Sequence, residues 1–444
     1  MDFTSIIALL GGISTLLILI LRFKLPAFIA LLIATLIIGL LLGMEPNDIF
    51  KTVEKGMGGT LGYVATIVGL GAMFGSLLEV TGSAEAIARH LLHRFGLEKA
   101  SWTLLLSGFF IAIPVFFDVV FVLLIPIVYF LQKQTNKSLL YYALPLLAGL
   151  AVTHAFIPPT PGPVAVAKIL GADLGRVIVL GLIAGLPAAI VSGILFGKYI
   201  AGKIFVKTPD YFVDKKQNHP LPSIGGVFFI VLLPITLILL RAFVDADFAD
   251  FPQFFKRFIS FIGHPFSALI LANLIAWYFL GIRGNFHKKE LFKVASKSME
   301  PAGTIILLTG AGGVLKQLLI DSELGLDLAK QFTRFDVSIY LVAFGIAALI
   351  RVLQGSSTVA MITAAGIIAP LAMASSQSPF SLALITIAIA SGASVFSHVN
   401  DSGFWLVSQY LGMDETKTFK SWSIMTTILG VTGLLMVMLL SLWV

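Results

Sequence analysis

The chain has 444 residues, 58% of them hydrophobic and 12% charged, and no cysteine. Soluble domains carry about 45–50% apolar and about 25% charged residues, so an ordinary water-soluble domain is excluded, and the lack of cysteine removes disulfide frameworks, thiolate metal sites, iron–sulfur clusters and cysteine nucleophiles. The net charge of +7 falls mostly in short loops between apolar runs, where it orients helices in a bilayer, so no nucleic-acid partner is needed to explain it.

The first apolar run, 4–21, has no basic segment before it and no small-residue cleavage site at its end, and it reads as a retained span rather than a signal peptide. Further runs follow at about 26–43, 60–78, 101–131, 139–158, 177–198, 223–241, 264–281, 302–320, 337–354, 358–375, 380–397 and 421–443, all helical by length. Two polar stretches, 199–222 with Lys203, Lys207, Lys215 and Lys216, and 282–300 with Arg283, Lys288, Lys289, Lys293 and Lys297, are predicted to face the cytoplasm. Two spans separate them, which returns the chain to one side. The loop Arg22–Lys24 then also faces inward and the N-terminus lies outside. Residues 242–263 mix aromatics with charges, as expected of a helix lying in the outer interface.

GLGAMFGSLL (69–78) resembles GAGGVLKQLL (310–319), with Gly71 matching Gly312, and KILGAD (168–173) resembles QYLGMD (409–414), with Gly171 matching Gly412. Both pairs share one offset (312 − 71 = 412 − 171 = 241), as a duplicated half requires. If 101–131 enters and leaves on one side, the first half crosses the membrane an odd number of times and the second half is inverted, an architecture of many secondary transporters. The expected fold is an all-α polytopic membrane protein of about 11–14 membrane segments in two inverted repeats with re-entrant hairpins. The expected division is 1–200 for the first repeat, 201–222 for a cytoplasmic linker and 223–444 for the second repeat.

Four interruptions of the apolar pattern are candidate chemistry, because polar groups and irregular backbone persist at membrane depth only inside protein or along a cavity. In IPVFFDVVFVLLIP (113–126), Asp118 stands mid-run between Pro114 and Pro126; it is a functional carboxyl or marks an interfacial turn. In VTHAFIPPTPGPVA (152–165), four prolines forbid a continuous helix, and the opened backbone lies beside Thr153, His154 and Thr160; an external loop is the competing reading. In RVLQGSSTVA (351–360), Arg351 and the hydroxyls of Ser356, Ser357 and Thr358 suit a carboxylate; capping serines and a snorkelling arginine are the alternative. In SGASVFSHVNDSGFW (391–405), Ser397, His398, Asn400 and Asp401 crowd together. A membrane hydrolase is a different-class reading of this set, although no nucleophile-elbow motif is present. A metal at His398 and Asp401 has only two ligands behind it, and no metal or cofactor is expected. The glycine strings 56–62 and 69–75 lack the preceding strand of a dinucleotide site; Gly58 with Gly62 and Gly71 with Gly75 are expected to let helices approach closely.

RFKLPAFIALL, THAFIPPTPGP, GSSTVA and FSHVNDSGFW, in collinear order over nearly the whole chain, resemble the gluconate permease family of proton-coupled symporters. The resemblance implies a bacterial inner-membrane importer of gluconate or a related sugar acid, working by alternating access with a proton and without a cofactor; relatives that carry idonate, fructuronate or D-serine leave the substrate open. A passive anion channel is a third reading, and homo-oligomerisation is left open. Members often carry Glu where this chain has Asp118. The substrate contacts expected on this reading are Thr153, His154, Thr160, Arg351, Ser356, Ser357, Thr358, His398 and Asn400. Because burial disfavours a charged carboxylate, the proton is expected on Asp118, with Asp401 beside His398 as second choice.

Overall fold

The computed structural model describes residues 3–113, 117–209, 221–245, 251–322, 338–399 and 401–443; among these there is no β-strand. Long apolar segments can bury in lipid only if every backbone group is satisfied within the segment, and helices are the solution this chain adopts. In chain order they are α1 (Phe3–Leu21), α2 (Ala27–Leu41), α3 (Pro46–Val80), α4 (Ser83–Phe95), α5 (Ala100–Ile111), α6 (Phe117–Thr135), α7 (Leu140–Phe156), α8 (Pro161–Leu170) and α9 (Leu174–Ala201). After the linker come α10 (Ile224–Asp245), α11 (Gln253–Ile262), α12 (Pro265–Ile282), α13 (Lys288–Lys297), α14 (Met299–Asp321), α15 (Ile339–Gln354), α16 (Ser357–Ala374), α17 (Pro379–Ala393), α18 (Ser402–Leu411) and α19 (Glu415–Ser441). Eight helical segments among the described residues are long and apolar enough to cross a bilayer, and five shorter apolar helices accompany them.

Every apolar run of the sequence becomes helical, but the run 101–131 divides into α5 and α6. Three more interruptions split helices: 157–160 between α7 and α8, 355–356 between α15 and α16, and 394–401 between α17 and α18. Some element boundaries recur at the offset of 241 residues. α18 lies 241 residues after α8 at both ends (402 − 161 and 411 − 170), and α19 starts 241 residues after α9 (415 − 174). Both α8 and α18 end on a left-handed glycine, Gly171 with φ +77° and Gly412 with φ +62°, the conformation that closes a helix at least cost when no Cβ is present.

The two longest helix pairings rest on small residues, though not those expected. α3 crosses α14 where a Cβ on Gly56 would fall 2.6 Å from Val314 Cα, and one on Gly313 would fall 2.2 Å from Thr60 Oγ1. α5 crosses α7 so closely that a Cβ on Gly149 would lie 2.2 Å from the Leu105 carbonyl oxygen. Gly58 and Gly62 instead face open space, and a Cβ on Gly71 would meet only the Pro159 carbonyl oxygen at 3.8 Å. The four-residue spacing was the right signal read on the wrong face: Gly56 and Thr60 sit on the buried stripe of α3 while Gly58 and Gly62 lie off it.

Contacts at one end of the bundle gather the end of α6, the start of α7, the start of the linker and the end of α18. Ser138 donates to the Ile204 carbonyl at 2.8 Å, Thr208 donates to Gln132 Oε1 at 3.0 Å, and Gly412 packs on Pro209. α11 presents Phe254, Phe258 and Phe261 outward on one stripe while Ile259 is buried.

Candidate functional site

Three of the four helix breaks, those beside α6, α16 and α18, meet at a cavity of about 570 Å³, within the ~300–1,000 Å³ typical of small-molecule sites, while the 157–160 turn lies outside its lining. α6 contributes Phe117 and Asp118, α7 contributes His154, and α15 with the start of α16 contributes Arg351, Gln354, Ser356, Ser357 and Thr358. The segment leading into α18 adds Ser394, Asp401 and Ser402, and α19 adds Trp422 and Thr426.

Local sequence explains how the polar groups are held. Gly355 ends α15 with φ +91°, and Ser356 restarts the chain as the N-cap of α16, its Oγ accepting from the Val359 amide at 3.3 Å. Gln354 Oε1 accepts from the Ser356 amide at 2.9 Å, pinning the break from the other side. The first-turn amides of Ser357 and Thr358 are of the kind a helix leaves without internal partners, at its electropositive end. Asp401 is the N-cap of α18, with Oδ1 accepting from the Gly403 amide at 3.0 Å.

Arg351 is 4% exposed, and its Nη2 meets Asp401 Oδ2 at 2.5 Å. The same carboxylate oxygen accepts from Ser397 Oγ, which in turn accepts from Trp422 Nε1 at 2.7 Å. Nε and Nη1 of Arg351 are buried and have no hydrogen-bond partner among the described residues, and Nδ1 of His154 is in the same condition. Asp118 stands exposed to the cavity. The cavity therefore holds two carboxylates and one guanidinium, and that guanidinium keeps two donating edges unused.

Several expected residues lie elsewhere. Thr153 is fully buried and donates to the Phe109 carbonyl at 2.9 Å, joining α7 to α5. Thr160 donates to the Ile157 carbonyl at 2.5 Å within the proline turn. His398 places Nε2 at 2.8 Å from the Val352 carbonyl and its ring against Phe396, outside the cavity lining. All three make their described hydrogen bonds to backbone carbonyls and stand outside the cavity lining, unlike the other expected contacts among the described residues. Asn400, Pro114, Lys215 and Lys216 lie outside the described residues. The hydrolase constellation does not assemble, because Ser397 bonds Asp401 directly with no imidazole between them.

The sequence reading missed Gln354, Ser394, Ser402, Trp422 and Thr426. Gln354 and Ser402 adjoin breaks already marked as functional and could have been included on that ground. Trp422 and Thr426 lie one helical turn apart in α19, and only the fold shows that this face meets the cavity.

The GntP family permease model matches residues 4–443. The chain belongs to this permease family. It is 41% identical over 431 residues to a gluconate permease of Pseudomonas aeruginosa, covering 96% of this chain and 95% of the relative. It is also 38% identical over 434 residues to a low-affinity gluconate transporter of Escherichia coli, covering 97% and 96%. A solved transporter of Alcanivorax borkumensis, YdaH, shares the fold with a TM-score of 0.67 at 15% identity, over 94% of this chain and 98% of that one. This GntP family member is thus a multi-pass inner-membrane transporter and not an enzyme.

Proposed function

We propose that this permease imports gluconate or a related sugar acid together with a proton by alternating access. The observation that carries the reading is Arg351, a buried guanidinium in the cavity whose Nε and Nη1 have no partner among the described residues. Unpaired buried charged donors are costly, and a solute carboxylate reaching the guanidinium would satisfy at least one of them. The amides heading α16 and the hydroxyls of Ser356, Ser357 and Thr358 complete the carboxylate and polyol contacts, with His154 also in the lining. The names of the relatives point to gluconate, and the hydroxyl-rich lining suits a polyol chain.

Charge supports the coupling. The cavity already sets Asp118 and Asp401 against Arg351 alone, so an anionic solute brings a third negative charge to one positive charge. A proton arriving with the solute relieves that excess, and Asp118, which has no cationic partner among the described residues, is the group proposed to take it. Asp401, held by Arg351, Ser397 and the Gly403 amide, is the second choice.

The proposed organisation is two halves, 1–200 and 223–444, joined by a cytoplasmic linker at 201–222 and inverted in the membrane. The common boundaries of α8 with α18 and of α9 with α19 support the duplication. The gathering of α6, α7, the linker and α18 at one end supports a first hairpin entering from the linker side.

The test is uptake into proteoliposomes of labelled gluconate, idonate, fructuronate and D-serine, driven by an imposed pH gradient alone. Accumulation of a sugar acid is expected. Gradient-independent equilibration would identify a channel instead, and accumulation of D-serine alone would transfer the site to an amino acid.

A further inference from the structure

Trp422 is 3% exposed and lies in a π-helical turn, Phe419–Ser423, at the start of α19, a local geometry frequent at functional sites. Its indole N–H donates to Ser397 Oγ at 2.7 Å. An indole nitrogen can only donate, whereas a serine hydroxyl has one proton and two lone pairs. With one lone pair of Ser397 taken by the indole, its single proton is directed to Asp401 Oδ2. Ser397 is itself clamped: its amide donates to Thr426 Oγ1 at 3.1 Å, and its carbonyl accepts from Ser423 Oγ. Asp401 Oδ2 then carries Arg351 Nη2 at 2.5 Å. The face of Trp422 also packs on Phe117, ring centroids 5.7 Å apart, next to Asp118.

We propose that Trp422 is a positioning residue of the substrate site, acting through the Ser397 hydroxyl on Asp401 and thereby fixing the open edge of Arg351 toward the cavity. The indole sets which way the hydroxyl points, the hydroxyl fixes the carboxylate rotamer, and the carboxylate holds the guanidinium. Without the N–H, the Ser397 proton is free to rotate off Asp401, and Arg351 loses its single orientation. The inference rests on the assignment of Arg351 as the carboxylate ligand, and it extends the site to a residue of another helix that need not touch the solute.

The experiment is a double-mutant cycle in proteoliposomes with Trp422→Phe, Ser397→Ala and the double variant, using labelled gluconate uptake at fixed pH gradient. Trp422→Phe keeps an aromatic ring beside Phe117 while removing the donor together with part of the indole, and the cycle with Ser397→Ala separates the two losses. The proposal expects KM to rise about three- to tenfold in either single variant, as for one lost hydrogen bond, with maximal rate little changed. The double variant should be no worse than Ser397→Ala alone. Wild-type KM in Trp422→Phe, or a double variant whose effect is the product of the single effects, would overturn it, because a packing role is additive and ignores the hydroxyl. Should Trp422→Phe not give monodisperse protein, Ser397→Ala carries the decision, and an unchanged KM there overturns the proposal. Arg351→Lys is run alongside: if it leaves KM unchanged, the reading of Arg351 fails first, whereas a raised KM with silent Trp422 and Ser397 variants refutes the positioning role alone.

Discussion

Replacing Arg351 by lysine isolates the donors that Asp401 does not use. Alanine would be a poor choice, since Asp401 is 13% exposed at its side chain and removal of one partner of a buried ion pair costs about 3–5 kcal/mol through the charge left behind. Lysine keeps a cation beside Asp401 but has no planar fork, so it cannot serve Asp401 and a solute carboxylate in the same geometry. Arg351 directs Nη2 to Asp401 and leaves Nε and Nη1 unused. The substitution therefore removes at least one charged hydrogen bond to the solute, about 1.5–3 kcal/mol, or roughly 10- to 150-fold in affinity. Equilibrium binding of labelled gluconate to detergent-purified protein measures this directly, with thermal unfolding as the control for the ion pair. A dissociation constant within twofold of wild type, in a variant that unfolds at the wild-type temperature, would refute the assignment of Arg351 as carboxylate ligand.

Asp118→Asn, nearly isosteric and fixed in a neutral form, should abolish accumulation driven by a pH gradient while sparing binding and solute exchange; accumulation at the wild-type level would remove Asp118 from coupling. Gly149→Ala drives a methyl group to within 2.2 Å of the Leu105 carbonyl and should lower stability by about 1–3 kcal/mol, whereas Gly58→Ala, in open space, should be neutral or slightly stabilising; thermal unfolding of the two variants decides. His264 caps α12 by accepting the Phe266 amide at Nδ1, 3.3 Å away, and burial, with the Arg241 charge second, holds its pKa below the usual 6.5. Its folded value is depressed, so the neutral form is favoured; the contribution to stability is present above about 6.5 and is lost as pH falls through the lower folded value. His264→Asn should flatten that part of the stability profile. Single cysteines placed in 199–222 and in 282–300 of this cysteine-free chain should be labelled only from the cytoplasmic side, and labelling from outside would invert the topology.

The helices were legible because a span is written in a long stretch of contiguous sequence, and the breaks because proline and glycine act locally. Asp118, Arg351 and Ser356–Thr358, which line the cavity, stand out in the same way against apolar neighbours. Thr153, Thr160 and His398 stand out equally, yet their polar groups close backbone carbonyls of α5, the proline turn and α15. Residue type shows that a polar group at membrane depth needs a partner; it does not show whether the partner is backbone or solute. Trp422 had the opposite problem. It sits in an apolar helix where tryptophan is unremarked, and only the approach of α19 to Ser397 turns its N–H toward the site.

The breaks that reach the cavity also explain why the polar groups can lie together in a bilayer at all. A continuous helix consumes its own amides and carbonyls and has nothing to offer a solute, whereas a broken one exposes the electropositive start of its second segment. α16 and α18 both begin at the cavity, and each start is already capped by a side chain, Ser356 for one and Asp401 for the other. The two caps differ in consequence. Ser356 is neutral and leaves the field of α16 available to an anion. Asp401 brings its own negative charge, satisfies the start of α18 and recruits Arg351 as well. On the proposed reading the solute carboxylate is expected on the α16 side, beside Arg351, rather than on the α18 side, where Asp401 already supplies a negative charge. The two helix starts that meet at the cavity therefore differ in charge, the α16 start capped by a neutral hydroxyl and the α18 start by an anion.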